Sequence, residues 1–536
     1  MSNLTARDLA LSTFEAFEST PTSLISYQSN GRVVIIGDEA TLAQCNEFPQ
    51  PLNPTLVVTS STGDSTLPGA ISLNQRKIDI EGHLGEFTIN LISSDQAIET
   101  LEADIVLDLN PEALISLEIP PPGYLHEALD SQNLKQLHEK LLDLTGEFEK
   151  PKYFRYDASI CAHGVNGKTV CTNCIDACPA GAISSLIETI EVDPYLCQGG
   201  GACATVCPSG AIRYVYPRLA DSGNALRKML QAFREQGGNQ AVVVFHTEAE
   251  DPRNLWQAET SVLPVKVEEL ASVGVDLCLS ALAYGASQVV LLVNEEVPEL
   301  SWEQLKLQLE WLHPLLSGLG LDPEQVRLQY STEACAPVAM GSPVEPAIYT
   351  MPDSKRDAIY QAIDHLYQHL GKTREMVDLP AGAPFGAAII DEKRCTLCMS
   401  CVGACPGKAL QDGSNREIPE IFFIESNCIQ CGTCTQTCPE TAIDISPRMI
   451  LDRELRNRSR VLNQDVPFAC ISCGKAFAPT SVIHKMNHKL KDHYMFKTSR
   501  ALDRLKMCED CRVADIVQDP EANISHTAVL AHFQSI

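Results

Sequence analysis

Short apolar runs bounded by turn-forming residues recur in two stretches of the chain. In residues 1–150, Val33–Ile36, Leu56–Thr59 and Asp104–Asp108 read as buried strands, and the stretch reads as an α/β scaffold domain. The turn that opens at Gly37 (Gly-Asp-Glu-Ala) lacks G-x-G-x-x-G, so it carries no dinucleotide fingerprint. A flavodoxin-like or Rossmann-like scaffold acting as an adapter is the expectation there. In residues 220–375 the strands are Ala241–Phe245, Val289–Val293 and Val326–Tyr330. Trp302, Leu305, Leu309 and Leu312 share one helical face. Ile359, Ile363, Leu366 and Leu370 share another, with Asp353 or Ser354 as N-cap and Gly371 just past the end. Alternating strands and helices predict a parallel sheet covered by helices.

At 536 residues, 44% of them hydrophobic, the chain has material for about three to five domains with real cores. Its formal net charge of −28 argues against nucleic acid, whose binding needs cationic neutralisation of phosphates, and against an anionic membrane surface. No apolar stretch reaches the roughly 18 residues of a membrane span. The start, MSNLTARDLA, shows no basic and apolar leader, so a cytoplasmic location is expected.

Cysteine changes the picture most. The 22 cysteines gather mainly in C-x-x-C runs, which in a large chain of this kind read as metal or cluster ligands rather than disulfides. The pattern C-P-x-x-A-[I/L] occurs four times, at Cys178, Cys207, Cys405 and Cys438, two copies in each of two Cys-rich blocks. In the block at 380–448, Cys395-x2-Cys398-x2-Cys401-x3-Cys405-Pro is followed by Cys428-x2-Cys431-x2-Cys434-x3-Cys438-Pro. Three closely spaced thiolates can wrap one cubane in a tight loop while the fourth, at the start of the next element, reaches another. The doubled spacing with both prolines leaves zinc a remote alternative.

This block resembles bacterial ferredoxins of the two-[4Fe–4S] type, and the block at 155–215 resembles them less perfectly. The resemblance implies single-electron carriage. It implies one [4Fe–4S] on Cys395, Cys398, Cys401 and Cys438, and another on Cys428, Cys431, Cys434 and Cys405. By the same analogy, Cys161, Cys171, Cys174 and Cys207 hold a third cluster in the first block, with Cys161 reaching in from the longer loop CAHGVNGKTVC. The fourth site has only Cys178, Cys197 and Cys203, because Gly200 stands where the usual second cysteine would be. Three outcomes stay open there: a [3Fe–4S] cluster, a [4Fe–4S] cluster with a non-cysteine ligand, or an empty or rewired site. His163 is a candidate odd ligand or, more simply, a hydrogen-bonding neighbour.

In the last segment, 449–536, Cys470-x2-Cys473 is followed 34 residues later by Cys508-x2-Cys511. Two such pairs suit a four-thiolate structural Zn²⁺ site, with a further iron centre or free thiols as alternatives. The pairs resemble zinc ribbons locally, and the long insert between them predicts a helix. Cys45, Cys278 and Cys335 are left over and read as buried apolar residues. From Arg448 to Asp515 there are 14 Lys/Arg against 8 Asp/Glu, a basic segment on an acidic chain. It reads as a solvated face or as a surface that docks on an acidic body or partner.

The segment Val265–Val293 resembles the delta subunit of methyl-viologen-reducing hydrogenases, which implies a domain that hands electrons to a partner enzyme. The [2Fe–2S] cysteines of that family are not evident here, so a docking scaffold is the expectation. The overall organisation resembles iron–sulfur proteins associated with bacterial formate dehydrogenases, which implies a redox protein partner of that kind. The expected fold is therefore multidomain α/β with two inserted ferredoxin-like α+β two-cluster modules and a C-terminal zinc-ribbon-like module. The expected function is an iron–sulfur electron-transfer component, not a catalytic subunit. The rival readings are an assembly factor and an oxidoreductase with its own flavin site.

Overall fold

A computed structural model of the chain describes residues 3–17, 19–45, 48–59, 65–74, 76–128, 134–165, 167–247, 260–330, 344–372, 374–413 and 418–520. Cys335 lies outside them. Two compact units divide the chain, Met1–Thr373 and Arg374–Ile536.

The first unit holds two parallel sheets. Arg32–Gly37, Asn53–Val58 and Ile105–Asp108 cover the apolar runs seen in the sequence. With Ile71–Ser72 and Tyr124–His126 they make a five-stranded sheet whose spatial order is third, second, first, fourth, fifth. Such strands are apolar on both faces because both faces are covered. The helix Leu134–Asp143 packs Leu137 and Leu141 on one face. An antiparallel sheet of Lys77–Glu81, Phe87–Ile92 and Ile98–Ala103 lays Phe87, Ile89 and Leu91 on the other. Buried Asp104 pins the two central strands, accepting from the Arg32 guanidinium at 2.6 Å and from the Asn30 and Arg32 amides.

The second sheet, of Val262–Lys266, Val242–His246, Gln288–Val293 and Val326–Tyr330, is parallel throughout, with spatial order second, first, third, fourth. Helices Glu299–Leu319 and Lys355–His369 fall where the apolar periodicity put them. Ser354 is the N-cap, and Gly371 adopts the left-handed backbone just past the end. One boundary differs from the sequence reading. The first helix, Asn3–Glu15, packs on helix Leu219–Glu235 of the second sheet's layer and not on the sheet nearest to it in the chain.

Between these sheets lies the first Cys-rich block. Phe154–Tyr156 pairs with Ile212–Tyr214, and Ile183–Ser185 with Ile190–Val192, all antiparallel. The second unit repeats the plan. Gly386–Ile390 pairs with Ile443–Ile450, and Leu410–Asp412 with Glu420–Phe423. Beyond it stand a hairpin (Pro467–Ala469 with Ala476–Pro479) and the helices Thr480–Leu490, Ser499–Arg504 and Glu509–Val517.

Candidate cluster and metal sites

Each half-unit is built alike. A turn delivers the first cysteine, a one-turn helix carries the third, and the C-P pair leaves toward the other half. Gly432 and Met399 take left-handed backbone two residues before Cys434 and Cys401, and Gly201 does so before Cys203. A Cβ on Gly201 would also lie 2.5 Å from the Ser272 side chain, so glycine is required there twice over.

In the second unit, Cys395, Cys398, Cys401 and Cys438 line one cavity, with Ile390, Ile421 and Ile443 closing it. Burial first, and then the charges of Cys395, Cys398 and Cys438, push the Cys401 thiol up to about 12. Cys434 is likewise raised by burial and by Cys431, Cys428 and Cys405. Thiols crowded in this way ionise together only if a positive core neutralises them, which is what iron supplies. Polar hydrogens already face several sulfurs. Gln430 Nε2 donates to Cys428 Sγ at 3.2 Å, and the Ala442 amide to Cys438 Sγ at 3.3 Å.

In the first unit, Cys174 is raised to about 12 by burial and then by Cys207, Cys171 and Cys161, which places those four together. The extra residues between Cys161 and Cys171 fold as a small hairpin, Gly164–Val165 with Lys168–Thr169, so the long loop is taken up without moving Cys161 away. The second cavity of the block is lined by Cys178, Cys197, Cys203 and Gly200. Cys203 is raised well above its usual value by burial and by Cys197 and Cys178. Among the described residues, the lining of this cavity holds no fourth cysteine. A Cβ at Gly200 would meet only Pro179 Cγ at 3.7 Å, an ordinary contact.

His163 is a structural neighbour. Its Nδ1 lies 2.8 Å from the Cys171 carbonyl and its Nε2 2.7 Å from Ser185 Oγ, so both ring nitrogens are engaged.

One cation near this cavity carried no signal in the sequence. Lys150, 47 residues before Cys197, donates to the carbonyls of Tyr195 and Cys197, both at 2.8 Å, and lies over the Tyr27 ring at 5.0 Å. Burial lowers it to about 8, against the opposing pull of Cys197 and Asp193.

At the end of the chain, the sulfurs of Cys470, Cys473, Cys508 and Cys511 all lie within 4.8 Å of one another, and Cys473 and Cys508 are 3.7 Å apart. Four sulfurs about 2.3 Å from a single tetrahedral ion stand about 3.8 Å apart. A cubane bonds its four thiolates to four different irons and needs them farther apart, so the set fits one ion. Burial works against the Cys470 thiolate, but the amides of Cys473, Cys508 and Ser472 outweigh it and bring the thiol down to about 6. Gly474, at φ +75°, makes the turn under the first pair.

The second pair does not sit on a second hairpin, as a ribbon would require. Cys508 caps the helix Glu509–Val517, and its amide donates to Cys470 Sγ at 3.3 Å. The expected inserted helix is present as Thr480–Leu490 and Ser499–Arg504. The basic segment is largely spent internally. Lys485 and Lys489 pair with Glu440, and Arg500 and Arg504 with Asp515 and Asp519. Cys45 and Cys278 are buried in apolar surroundings.

Among the described residues, no helix is long and apolar enough to cross a membrane. No curated protein matches the chain. Residues 394–443 match the family model of the 4Fe-4S dicluster domain, and residues 190–213 match that of the 4Fe-4S binding domain. The second match begins after Cys161, Cys171, Cys174 and Cys178 and spans the half-unit that contains Gly200. The chain thus carries 4Fe-4S domains of the ferredoxin type, one in each of its two compact units.

Proposed function

We propose that the protein is an iron–sulfur electron-transfer component that relays single electrons between redox partners. The observation that carries this reading is the cavity ringed by Cys395, Cys398, Cys401 and Cys438 inside the segment that matches a dicluster domain. Those four residues would hold one [4Fe–4S] cluster, and Cys405, Cys428, Cys431 and Cys434 a second. Cys161, Cys171, Cys174 and Cys207 would hold a third. Cys178, Cys197 and Cys203 would hold a three-thiolate cluster, a [3Fe–4S] being the form that suits a glycine in the fourth place. Bound clusters of this kind supply reversible one-electron chemistry. The protein's part is to bury the sulfurs, aim polar hydrogens at them and exclude water. The Cys470, Cys473, Cys508 and Cys511 set would hold Zn²⁺ as a structural ion.

Among the described residues no cysteine is in a disulfide, which suits a reducing compartment such as the cytoplasm. A redox enzyme is the proposed partner. Formate dehydrogenase is one candidate, supported only by the order of modules along the sequence.

The test is low-temperature EPR of anaerobically purified protein, as isolated and after dithionite, with iron and zinc quantified. The expected result is a [3Fe–4S] signal as isolated and reversibly reducible [4Fe–4S] signals after dithionite. Clusters that cannot be cycled would favour an assembly factor, and a colourless protein would end the electron-carrier reading.

A further inference from the structure

Helix Lys355–His369 belongs to the layer of the second parallel sheet, yet its first turn grips the first Cys-rich block. The half-buried Lys355 ammonium donates to the Ala204 carbonyl at 3.2 Å, to that of Thr205, and to that of Cys207 at 3.4 Å. Arg356 Nη1 donates to the Pro208 carbonyl at 3.1 Å. These carbonyls close the short helix Ala202–Val206, which carries Cys203, and lead through Cys207. Cys203 and Cys207 belong to two different proposed cluster sites, so Lys355 sits at the seam between them. Thr205 Oγ1 donates to the Ala271 carbonyl at 3.1 Å, a second tie from the same short helix to the parallel-sheet domain.

Two cations at the start of a helix run against its dipole, whose amino end favours carboxylates. Ser354 and Asp357 follow that preference, the Ser354 hydroxyl accepting from the Asp357 amide. Lys355 and Arg356 do not, and the carbonyls they hold account for their place. The carboxyl end of the short helix is where a cation is favoured. Burial lowers the Lys355 ammonium, while Asp276 and then the sulfurs of Cys207 and Cys203 pull the other way. Asp276 is 6% exposed and stands in the first turn of helix Val275–Ala283, one oxygen accepting from the Leu277 amide at 2.8 Å. Charges held in a protein interior act more strongly at a given distance than charges in water.

We propose that the parallel-sheet domain sets the electron affinity of the first Cys-rich block. Lys355 is the positioning residue: its cation favours the more negative, reduced state of the cluster sites on either side, and the Asp276 carboxylate limits that bias. A domain that only docked a partner would need neither a cation at the seam between cluster ligands nor a buried carboxylate acting on it. The proposal deepens the electron-transfer reading and rests on it.

The experiment is an EPR-monitored potentiometric titration of anaerobic full-length protein, with iron quantified. At a potential fixed near the wild-type midpoint, Lys355→Met is expected to lower the reduced-to-oxidised ratio of the first-block clusters by about tenfold. Lys355→Arg keeps the charge and is expected to keep the wild-type ratio. Asp276→Asn keeps the oxygen that accepts from Leu277 and removes the charge, so it is expected to raise the ratio by about threefold. The clusters of the second unit are expected to stay unmoved in all three. A purely structural Lys355 would change iron content or melting without producing shifts of opposite sign. Should Lys355→Met lose iron, Asp276→Asn decides: a rise supports the proposal, and no change or a fall overturns it. Ratios that ignore both substitutions, or that move the same way in both, overturn the proposal and leave the electron-transfer reading standing. Clusters that never cycle overturn both.

Discussion

Gly200 and Lys150 are the two residues that set the proposed three-thiolate site of the first unit apart from the three other proposed cluster sites. Gly200 has ordinary backbone and a Cβ there would make only an ordinary 3.7 Å contact with Pro179, so Gly200→Cys should fold and complete a four-thiolate set. The expected outcome is replacement of the [3Fe–4S] EPR signal by a [4Fe–4S] signal, with about one more iron per chain. Retention of the three-iron signal would mean that the sulfur at 200 does not face the cavity. Lys150 places a half-buried cation against the carbonyl of Cys197, and a cation favours the more negative, reduced state of a nearby cluster. Lys150→Met should therefore lower one midpoint potential by something on the order of tens of millivolts and leave those of the second unit unmoved. An unchanged potentiometric titration would assign Lys150 a purely structural role. Gly200 stands out in the sequence because it interrupts a repeat. Lys150 does not, because its proximity to Cys197 is made by a strand pairing, Leu24–Ser29 with Gly146–Pro151, and by the docking of that pair on the cysteine loop.

At the level of elements, the turn Glu425–Asn427 that delivers Cys428 is held by a single carboxylate. Glu425, 3% exposed at its side chain, accepts two hydrogen bonds from Arg448 at 2.7 Å and pairs with Arg460 at 2.6 Å. These arginines come from the two strands that flank the turn in space, Ile443–Ile450 and Arg460–Gln464. Removing the carboxylate leaves two half-buried cations facing each other. Glu425→Ala should cost about 2–3 kcal/mol, discounted for the partial exposure of the arginines, and lower the melting midpoint of the second unit by about 5–10 °C. Calorimetry showing no change would mean that the carboxylate does not clamp the turn. The half-unit helices are legible from the cysteine spacing, since a loop that wraps three thiolates around one centre is a local matter. The clamp is not, because its three residues are brought together by the sheet. The same distinction explains the C-terminal site. The spacing C-x2-C twice over gives a four-sulfur set. Whether the second pair stands on a hairpin or on a helix is settled by the residues after Cys508, a helix-forming stretch with Glu509 and Asp510 in its first turn.

For the molecule as a whole, the division at Thr373 and Arg374 makes a quantitative expectation. Residues 374–536 produced alone should hold about eight iron and about one zinc per chain. Fewer than about four iron would show that this unit does not complete its clusters by itself. The sequence by itself determined what sulfur spacing and apolar periodicity can determine. The paired half-units, the interruption at Gly200, the four-cysteine set, three strands of each parallel sheet and the helices Glu299–Leu319 and Lys355–His369 all arise from contacts within a few residues or from a face that must be buried. Tertiary structure alone decided the rest. It sent the first helix to Leu219–Glu235, covered one face of the first sheet with an antiparallel sheet, and brought Lys150 to Cys197. Periodicity tells a segment which side to bury and says nothing about which of several apolar partners will bury it, so these contacts appear only when distant stretches of chain compete for the same surface.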